Sequence, residues 1–309
     1  MKILVLGSAA GGGFPQWNCN CPACRRARAG DPAARPRTQS SVAVTTGDGR
    51  WLLLNASPDL RAQINASPAL HPQAGTRSSP LAAVVATNAD IDHVSGLLSL
   101  REAQPLAVYA TPRVQRVLAG NSVFRVLDPT LVPRREMALD VPFRPQGADG
   151  RDLGLTIEAF AVPGKVALYL EDAAAGPNFG SVAEDTVALK VTEERTGAAF
   201  FYAPGCAALP VWLADRLRGA ALVLFDGTTW TDDEMLRLGT GTKTAARMGH
   251  ISMSGPEGSI AAFAGLDVAR KCFIHINNTN PVLLDDSAER RQAEAAGWEI
   301  TFDGMEIVL

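Results

Sequence analysis

The chain carries no surplus of positive charge: 29 Lys and Arg stand against 32 Asp and Glu, a net charge of -3. Nucleic-acid binders show a basic face, so this balance speaks against a nucleic-acid partner. There is no apolar run near the ~20 residues that span a bilayer, so no membrane segment is expected. The evenly paired cysteines of a secreted disulfide scaffold are missing too. The five Cys are an odd number, with three crowded at Cys19, Cys21 and Cys24. That usage suits a reduced, cytoplasmic location and a metal better than disulfides. The opening Met1-Lys-Ile-Leu-Val-Leu-Gly7 runs straight into glycine and reads as a first strand, not a signal peptide. No linker of the usual composition divides the 309 residues, so a single domain over 1–309 is expected. Hydrophobic content of 47% and charged content of 20% are ordinary for a globular enzyme with a sizeable core.

What is present centres on Ala86-Thr-Asn-Ala-Asp-Ile-Asp-His-Val-Ser-Gly-Leu-Leu98. It follows Leu81-Ala-Ala-Val-Val-Ala-Thr87, which has the length and β-branching of a buried strand. Ile91, Val94, Leu97 and Leu98 then recur at helical spacing, with Asp90 where an N-cap belongs. Asp90, Asp92 and His93 therefore fall where a strand ends and a helix begins, the edge at which α/β sheets build their sites. Cys19, Cys21 and Cys24 form a C-x-C-x-x-C knuckle over 19–24, with Pro22 tightening the turn. Converging thiolates of this kind make a closed structural zinc site, and the fourth ligand is not local.

The rest alternates strands and loops. Ser40 to Thr46 and Trp51 to Ala56 read as a hairpin around Gly47-Asp-Gly49, with Asp59 just beyond. A Pro- and Gly-rich excursion runs from about Asp128 to Gly154, and Glu171 to Glu184, with Gly176-Pro-Asn-Phe-Gly180, is the candidate mobile loop over a site. Ala221 to Asp226 is a buried strand ending in an acid, and Lys271 to Ile276 is another, ending in His275 and Asn277-Asn-Thr-Asn-Pro281. A helix is expected over Pro256 to Ala264.

The central motif resembles the His-x-His-x-Asp-His signature of the metallo-β-lactamase superfamily. Asn88 and Asp90 stand at the two His positions, while Asp92 and His93 match. The resemblance implies an α/β fold, an αββα sandwich of two mixed sheets between helical layers. It implies one active-site metal rather than two, with His275 as the late-chain ligand and Asp59 ordering the loops beneath. Asp92, His93 and His275 are two imidazoles and one carboxylate, the set of non-haem Fe(II) oxygenases, which Zn or Mn can also occupy. Asp90 is an additional candidate ligand, and Asp226 is either a ligand or an acceptor for an imidazole N–H. His250, in Met248-Gly-His-Ile-Ser-Met-Ser-Gly255, resembles the Gly-His-x-Ser element of related phosphodiesterases. A role in proton transfer or substrate anchoring stands there beside a helix-cap role.

Together, Phe14-Pro-Gln-Trp-Asn-Cys-Asn-Cys-Pro-Ala-Cys24, Ser57-Pro-Asp-Leu-Arg61, the central motif, Phe225-Asp-Gly-Thr228, Met248 to Gly255 and Ile274-His-Ile-Asn-Asn-Thr-Asn-Pro281 resemble the coenzyme PQQ synthesis protein B family over essentially the whole chain. The resemblance implies a part in making pyrroloquinoline quinone (PQQ) through iron-dependent hydroxylation of the tyrosine ring of a Glu-Tyr-derived precursor. A carrier role for PQQ or its precursor and a Zn-dependent hydrolase are the rivals. Its expected ligands are a peptide-derived precursor or PQQ, with other PQQ biosynthesis proteins as partners and a homodimer left open. A more distant cyclic phosphodiesterase of phosphonate breakdown shares the knuckle and the closing Phe302-Asp-Gly-Met-Glu-Ile307. There a His completes the structural zinc site, and here that place is Asn278, which leaves the Asn278 oxygen, another side chain or water as the fourth zinc ligand. A substrate with several carboxylates calls for local cations and amides, for which Lys243, Arg247, Asn277 and Asn280 are the candidates.

Overall fold

The computed structural model describes residues 1–176 and 178–309. Its strands are β1 (Lys2–Gly7), β2 (Ser41–Thr45), β3 (Trp51–Leu54), β4 (Leu81–Val85), β5 (Ala107–Ala110) and β6 (Arg134–Glu136), then β7 (Leu155–Ala161), β8 (Val187–Glu193), β9 (Ala199–Ala203), β10 (Val223–Asp226), β11 (Lys271–Ile274), β12 (Trp298–Ile300) and β13 (Glu306–Val308). They form two mixed sheets, ordered β13-β1-β2-β3-β4-β5-β6 and β12-β11-β10-β9-β8-β7. In the first sheet β13, β1, β2 and β3 pair antiparallel, then β3 to β6 run parallel. The second mirrors this, antiparallel from β7 to β9 and parallel from β9 to β12.

Strand alternation explains the layers. In β1, Ile3 and Val5 join Leu54, Val85, Leu189, Tyr202, Leu224 and Ile274 in the apolar layer between the sheets. Leu4 and Leu6 turn the other way, onto a helical layer with Leu60, Val94, Val114 and Leu118. A third cluster covers the outer face of the second sheet, where Phe225, Phe273 and Trp298 meet Leu213, Leu217 and the knuckle. Strands buried on both faces have near-continuous apolar sequence, as β4 and β10 do. This is the expected αββα sandwich.

Several local expectations change. The helix after β4 has only one turn, Ile91–Val94, and continues as a 3₁₀ segment, Ser95–Leu100. Asp90 sits at its N-cap position without capping it. Its Oδ1 instead accepts the Leu168 N–H at 3.2 Å. The helix expected over Pro256 to Ala264 shrinks to Ser259–Ala262, because Gly255 at φ 88° and a turn at Gly258 occupy its first half. The excursion from Asp128 to Gly154 contributes an edge strand, β6. Pro177, within the candidate mobile loop, lies outside the described residues. No helix among the described residues is long and apolar enough to cross a membrane.

Candidate metal centre

The site lies at the C-terminal ends of parallel strands, where β4, β10 and β11 deliver their following residues to one edge. One donor atom each from Asp92, His93 and His275 lies within 4.8 Å of the others. Asp92 Oδ2 is 3.0 Å from His275 Nε2 and 3.8 Å from His93 Nε2. His93 is buried and its Nε2 has no hydrogen-bond partner among the described residues. A buried orphan nitrogen is costly unless something accepts it, and a cation beside a carboxylate and a second imidazole would do so. Burial pushes His93 down to about 4, so the ring is neutral, the form a metal requires. Burial also opposes charge on Asp92, but His93 and the hydrogen bond to His275 outweigh it and hold the carboxylate well below its usual range. The charge on Asp92, the neutral His93 ring and the geometry fit a metal ion, which would displace the His275 Nε2–H proton that Asp92 accepts.

The neighbours orient these donors. His275 adopts φ 60°, an uncommon conformation for a non-glycine residue, and Asn55 does the same at the end of β3. Asn55 Oδ1 accepts Thr87 N–H at 2.8 Å, and its Nδ2 lies 3.2 Å from His93 Nδ1, with Thr87 Oγ1 at 3.4 Å. On the other side, Thr228 sits 2.6 Å from Asp226 Oδ1 and donates its single hydroxyl hydrogen there. Its lone pairs then face His275 Nδ1 at 3.0 Å, so His275 Nε2 is the nitrogen left for a metal. Asp59 accepts from Gln39 N–H and Nε2, and Gln39 Oε1 in turn accepts from Gly12. Beside it, a side chain at Gly11 would come 3.3 Å from Asp92 Oδ2, so the loop after β1 packs directly against the candidate ligand carboxylate.

Asp226 is fully buried, and its oxygens accept Thr228 N–H and O–H, Cys206 N–H at 2.9 Å and His250 Nδ1–H at 2.6 Å. One donor atom each from Asp226, His250 and His275 also lies within 4.8 Å of the others, and the hydrogen bonds on Asp226 make it an acceptor that orients His250. The His250 N–H closes the end of the helix Ala245–Met248 on the Ala245 carbonyl at 3.0 Å, while its side chain, with Nδ1 committed to Asp226, leaves Nε2 free to exchange a proton. A cavity of about 320 Å³ is lined by Asn88, Asp90, Asp92, His93, Lys165, Leu168, Thr228, Lys243, His250, His275 and Asn277. Asp90 lines it but stands outside the three-donor cluster, held by Leu168, and burial raises its carboxyl above the usual range.

The remaining sequence candidates separate. Lys243 and Asn277 line the cavity. Arg247 lies back from it, paired with Glu171. Asn280 is wholly buried, donating to the Gly227 carbonyl and capping Val282, so it is a loop brace. Asn55, Lys165 and Thr228 carried no role in the sequence reading. For Asn55 and Thr228 the available signal is a polar residue close behind an apolar strand, whereas Lys165, four residues after β7, carries none. In the knuckle, the sulfurs of Cys19, Cys21 and Cys24 lie within 4.8 Å of one another, and all five cysteines are unpaired. Asn278 turns its amide nitrogen to Cys24 Sγ at 3.3 Å, donating to sulfur instead of offering the oxygen a zinc would take.

The beta-lactamase superfamily domain model matches residues 50–276. Coenzyme PQQ synthesis protein B of Gluconacetobacter diazotrophicus is 56% identical over 309 residues, 99% of each chain. That of Rhodopseudomonas palustris is 51% identical over the full length of both. The zinc-bound crystal structure of PqqB from Methylobacterium extorquens superposes with a TM-score of 0.94 at 50% identity, covering both chains fully. A diphosphatase of the PhnP family, at 18% identity and a TM-score of 0.67 over 100% of this chain and 97% of its own, shares the fold. The chain belongs to the coenzyme PQQ synthesis protein B family, within the beta-lactamase superfamily.

Proposed function

We propose that the chain acts in PQQ biosynthesis as an iron-dependent hydroxylase of the tyrosine ring in a Glu-Tyr-derived precursor. The observation that carries this is the Asp92, His93 and His275 set, two imidazoles and one carboxylate opening onto a single cavity. Three protein donors leave coordination positions open, the pattern of non-haem iron oxygenases. Fe(II) held by these residues would supply the redox access to O2 that no side chain offers. The balance is one ring C–H converted to C–OH, the second oxygen atom leaving as water, with two electrons from an external reductant and two protons.

The chain's own groups have distinct tasks. His250, with Nδ1 donated to Asp226, holds or takes a proton at Nε2, toward the phenol. Thr228 fixes His275, and the Asn55–Thr87 pair fixes His93. Asn277 and Lys243 line the wall where a polar substrate would rest. The knuckle, remote in role, would hold a structural Zn2+ through Cys19, Cys21 and Cys24.

The test is anaerobic reconstitution with Fe2+, then O2, a reductant and a Glu-Tyr substrate, with products read by mass. A product heavier by one oxygen from wild type, and none from Asp92→Ala, is expected. His250→Ala should keep its iron yet turn over more slowly. If no oxygen is incorporated with iron or any other metal, and PQQ binds equally to wild type and Asp92→Ala, a carrier role replaces the hydroxylase.

A further inference from the structure

Three cations converge on one carboxylate at the edge of the cavity. Glu171 is gripped by Arg247 Nη1 and Nη2 at 3.1 and 2.7 Å, by Lys165 Nζ at 2.9 Å and by Lys243 Nζ at 3.6 Å. Glu171 supplies one negative charge to three positive ones, so the cluster retains an excess of two. The Glu171 side chain is 12% exposed and that of Lys165 17%, which removes much of the solvent screening that weakens surface pairs. Arg247's grip, joined by both lysines, pulls the Glu171 carboxyl down to about 2.

Lys165 and Lys243 line the same cavity as Asp92, His93, His275 and His250. They reach it from separate elements, the turn after β7 and the segment before the helix Ala245–Met248. The stem of Lys165 lies on Gly249, where a side chain would come 2.9 Å from its Cγ, and Gly249 is held at φ 88°. Arg247 is stacked on the Phe179 ring, its guanidinium carbon 3.6 Å from the centroid. Lys165 is thus seated by a contact independent of Glu171, while Arg247 rests on Phe179 of the same segment that carries Glu171; that segment is tied down ahead of Glu171 by Leu168 N–H to Asp90 and Tyr169 O–H to the Ala89 carbonyl.

We propose that Lys165 and Lys243 on the cavity wall, with Arg247 behind them, form a carboxylate-binding subsite, and that Glu171 is its internal occupant, displaced when a carboxylate of the ligand enters. The ligand class is a peptide-derived molecule bearing side-chain or terminal carboxylates. The planar fork of Arg247 grips any carboxylate in the two-point manner it uses on Glu171. With a net charge of -3 the chain offers no long-range pull on an anion, so recognition has to be local. The proposal rests on the substrate class given above, though not on the hydroxylation itself.

Isothermal titration of the zinc-loaded protein with glutamyl-tyrosine, and with glutaminyl-tyrosinamide as a carboxylate-free control, separates the outcomes. Glu171→Gln is expected to bind glutamyl-tyrosine about tenfold more tightly, and Lys165→Ala about tenfold more weakly, with the control peptide unchanged. In a Lys165→Ala, Lys243→Ala background, Glu171→Gln should bring no gain. Glu171→Asp, which keeps the charge but retracts it, should fall between wild type and Glu171→Gln and serves if the Gln variant folds poorly. Unchanged affinity in Glu171→Gln, parallel changes for both peptides, or a gain that survives loss of the lysines would overturn the subsite. Oxygen incorporation, measured in parallel, keeps the two claims apart. Binding shifts without incorporation leave the subsite standing and remove the hydroxylase. Incorporation with one KM across wild type, Glu171→Gln and Lys165→Ala does the reverse.

Discussion

Thr228 joins the two halves of the site. Its hydroxyl donates to Asp226 and receives His275, so one oxygen sets both the His250 orienter and the tautomer of the late-chain ligand. Thr228→Val keeps the shape and deletes both bonds, and metal affinity at Asp92, His93 and His275 should fall by about 10- to 100-fold in chelator competition. Glu234 makes a different prediction. It is buried, accepts Trp230 N–H at 2.7 Å and Thr279 O–H at 2.5 Å, and burial pushes its carboxyl up to about 7. A group raised in the folded state stabilises fully below its unfolded value, near 4.5, and the contribution is lost as pH rises toward 7. Stability should therefore decline between those values, and Glu234→Gln should flatten that slope in melting curves taken at stepped pH. Asp92, His93 and His275 were legible in the sequence because the motif joins them to strand ends. Thr228 and Asn55 were not, because a hydroxyl or amide beside an imidazole is ordinary loop composition until the fold brings the two together.

At the scale of elements, strands were read better than helices, for a physical reason. Apolar runs such as Leu81 to Val85 and Val223 to Phe225 are buried, Ala82 alone partly so, and their sequence says so. The helices near the site are single turns, such as Ile91–Val94, Ala245–Met248 and Ser259–Ala262, too short for a 3.6-residue period to register. What ends one of them is local chemistry: Gly249 takes the left-handed conformation that closes Ala245–Met248. Gly249→Ala imposes a left-handed penalty of about 1–2 kcal/mol and pushes on Lys165 as well. Its melting temperature should drop, and glutamyl-tyrosine should bind more weakly than to wild type, while the carboxylate-free peptide binds as before. The knuckle is an element of another kind. Cys21 is both a candidate zinc ligand and the residue preceding the helix Pro22–Arg28, whose Ala23 and Ala27 pack into the outer layer of the second sheet. Cys21→Ser should lose zinc and stability together, since metal binding there is coupled to folding. Full zinc occupancy in a Cys19, Cys21, Cys24 triple-Ser variant would remove the structural-zinc assignment.

For the molecule as a whole, the two candidate metal sites differ in what their loss should do. The sandwich holds three apolar layers without help from the catalytic edge: Ile3, Val5, Leu224 and Ile274 pack between sheets whether or not Asp92 has a cation beside it. The knuckle instead fastens the segment after β1 onto the outer helical layer, through Cys24, Ala27 and Ala34. The superfamily's other metal position is filled by Asn88, whose Oδ1 is engaged with the Asp90 N–H at 2.9 Å, and by Asp90, which is bound to Leu168. A neutral amide turned onto the backbone is a poor replacement for an imidazole. Two metals per chain are therefore expected in all, one at Asp92, His93 and His275 and one at the knuckle. Mass-spectrometric metal analysis should read two for wild type and one for Asp92→Ala, with the melting temperature little changed. Cys21→Ser should also read one, but with a lowered melting temperature, because only that loss frees a segment of chain. A wild-type count of three, with a second ion bridged across Asp90 and Asp92, would mean that Asn88 still supports the older position and that the one-metal chemistry proposed for the cavity is wrong.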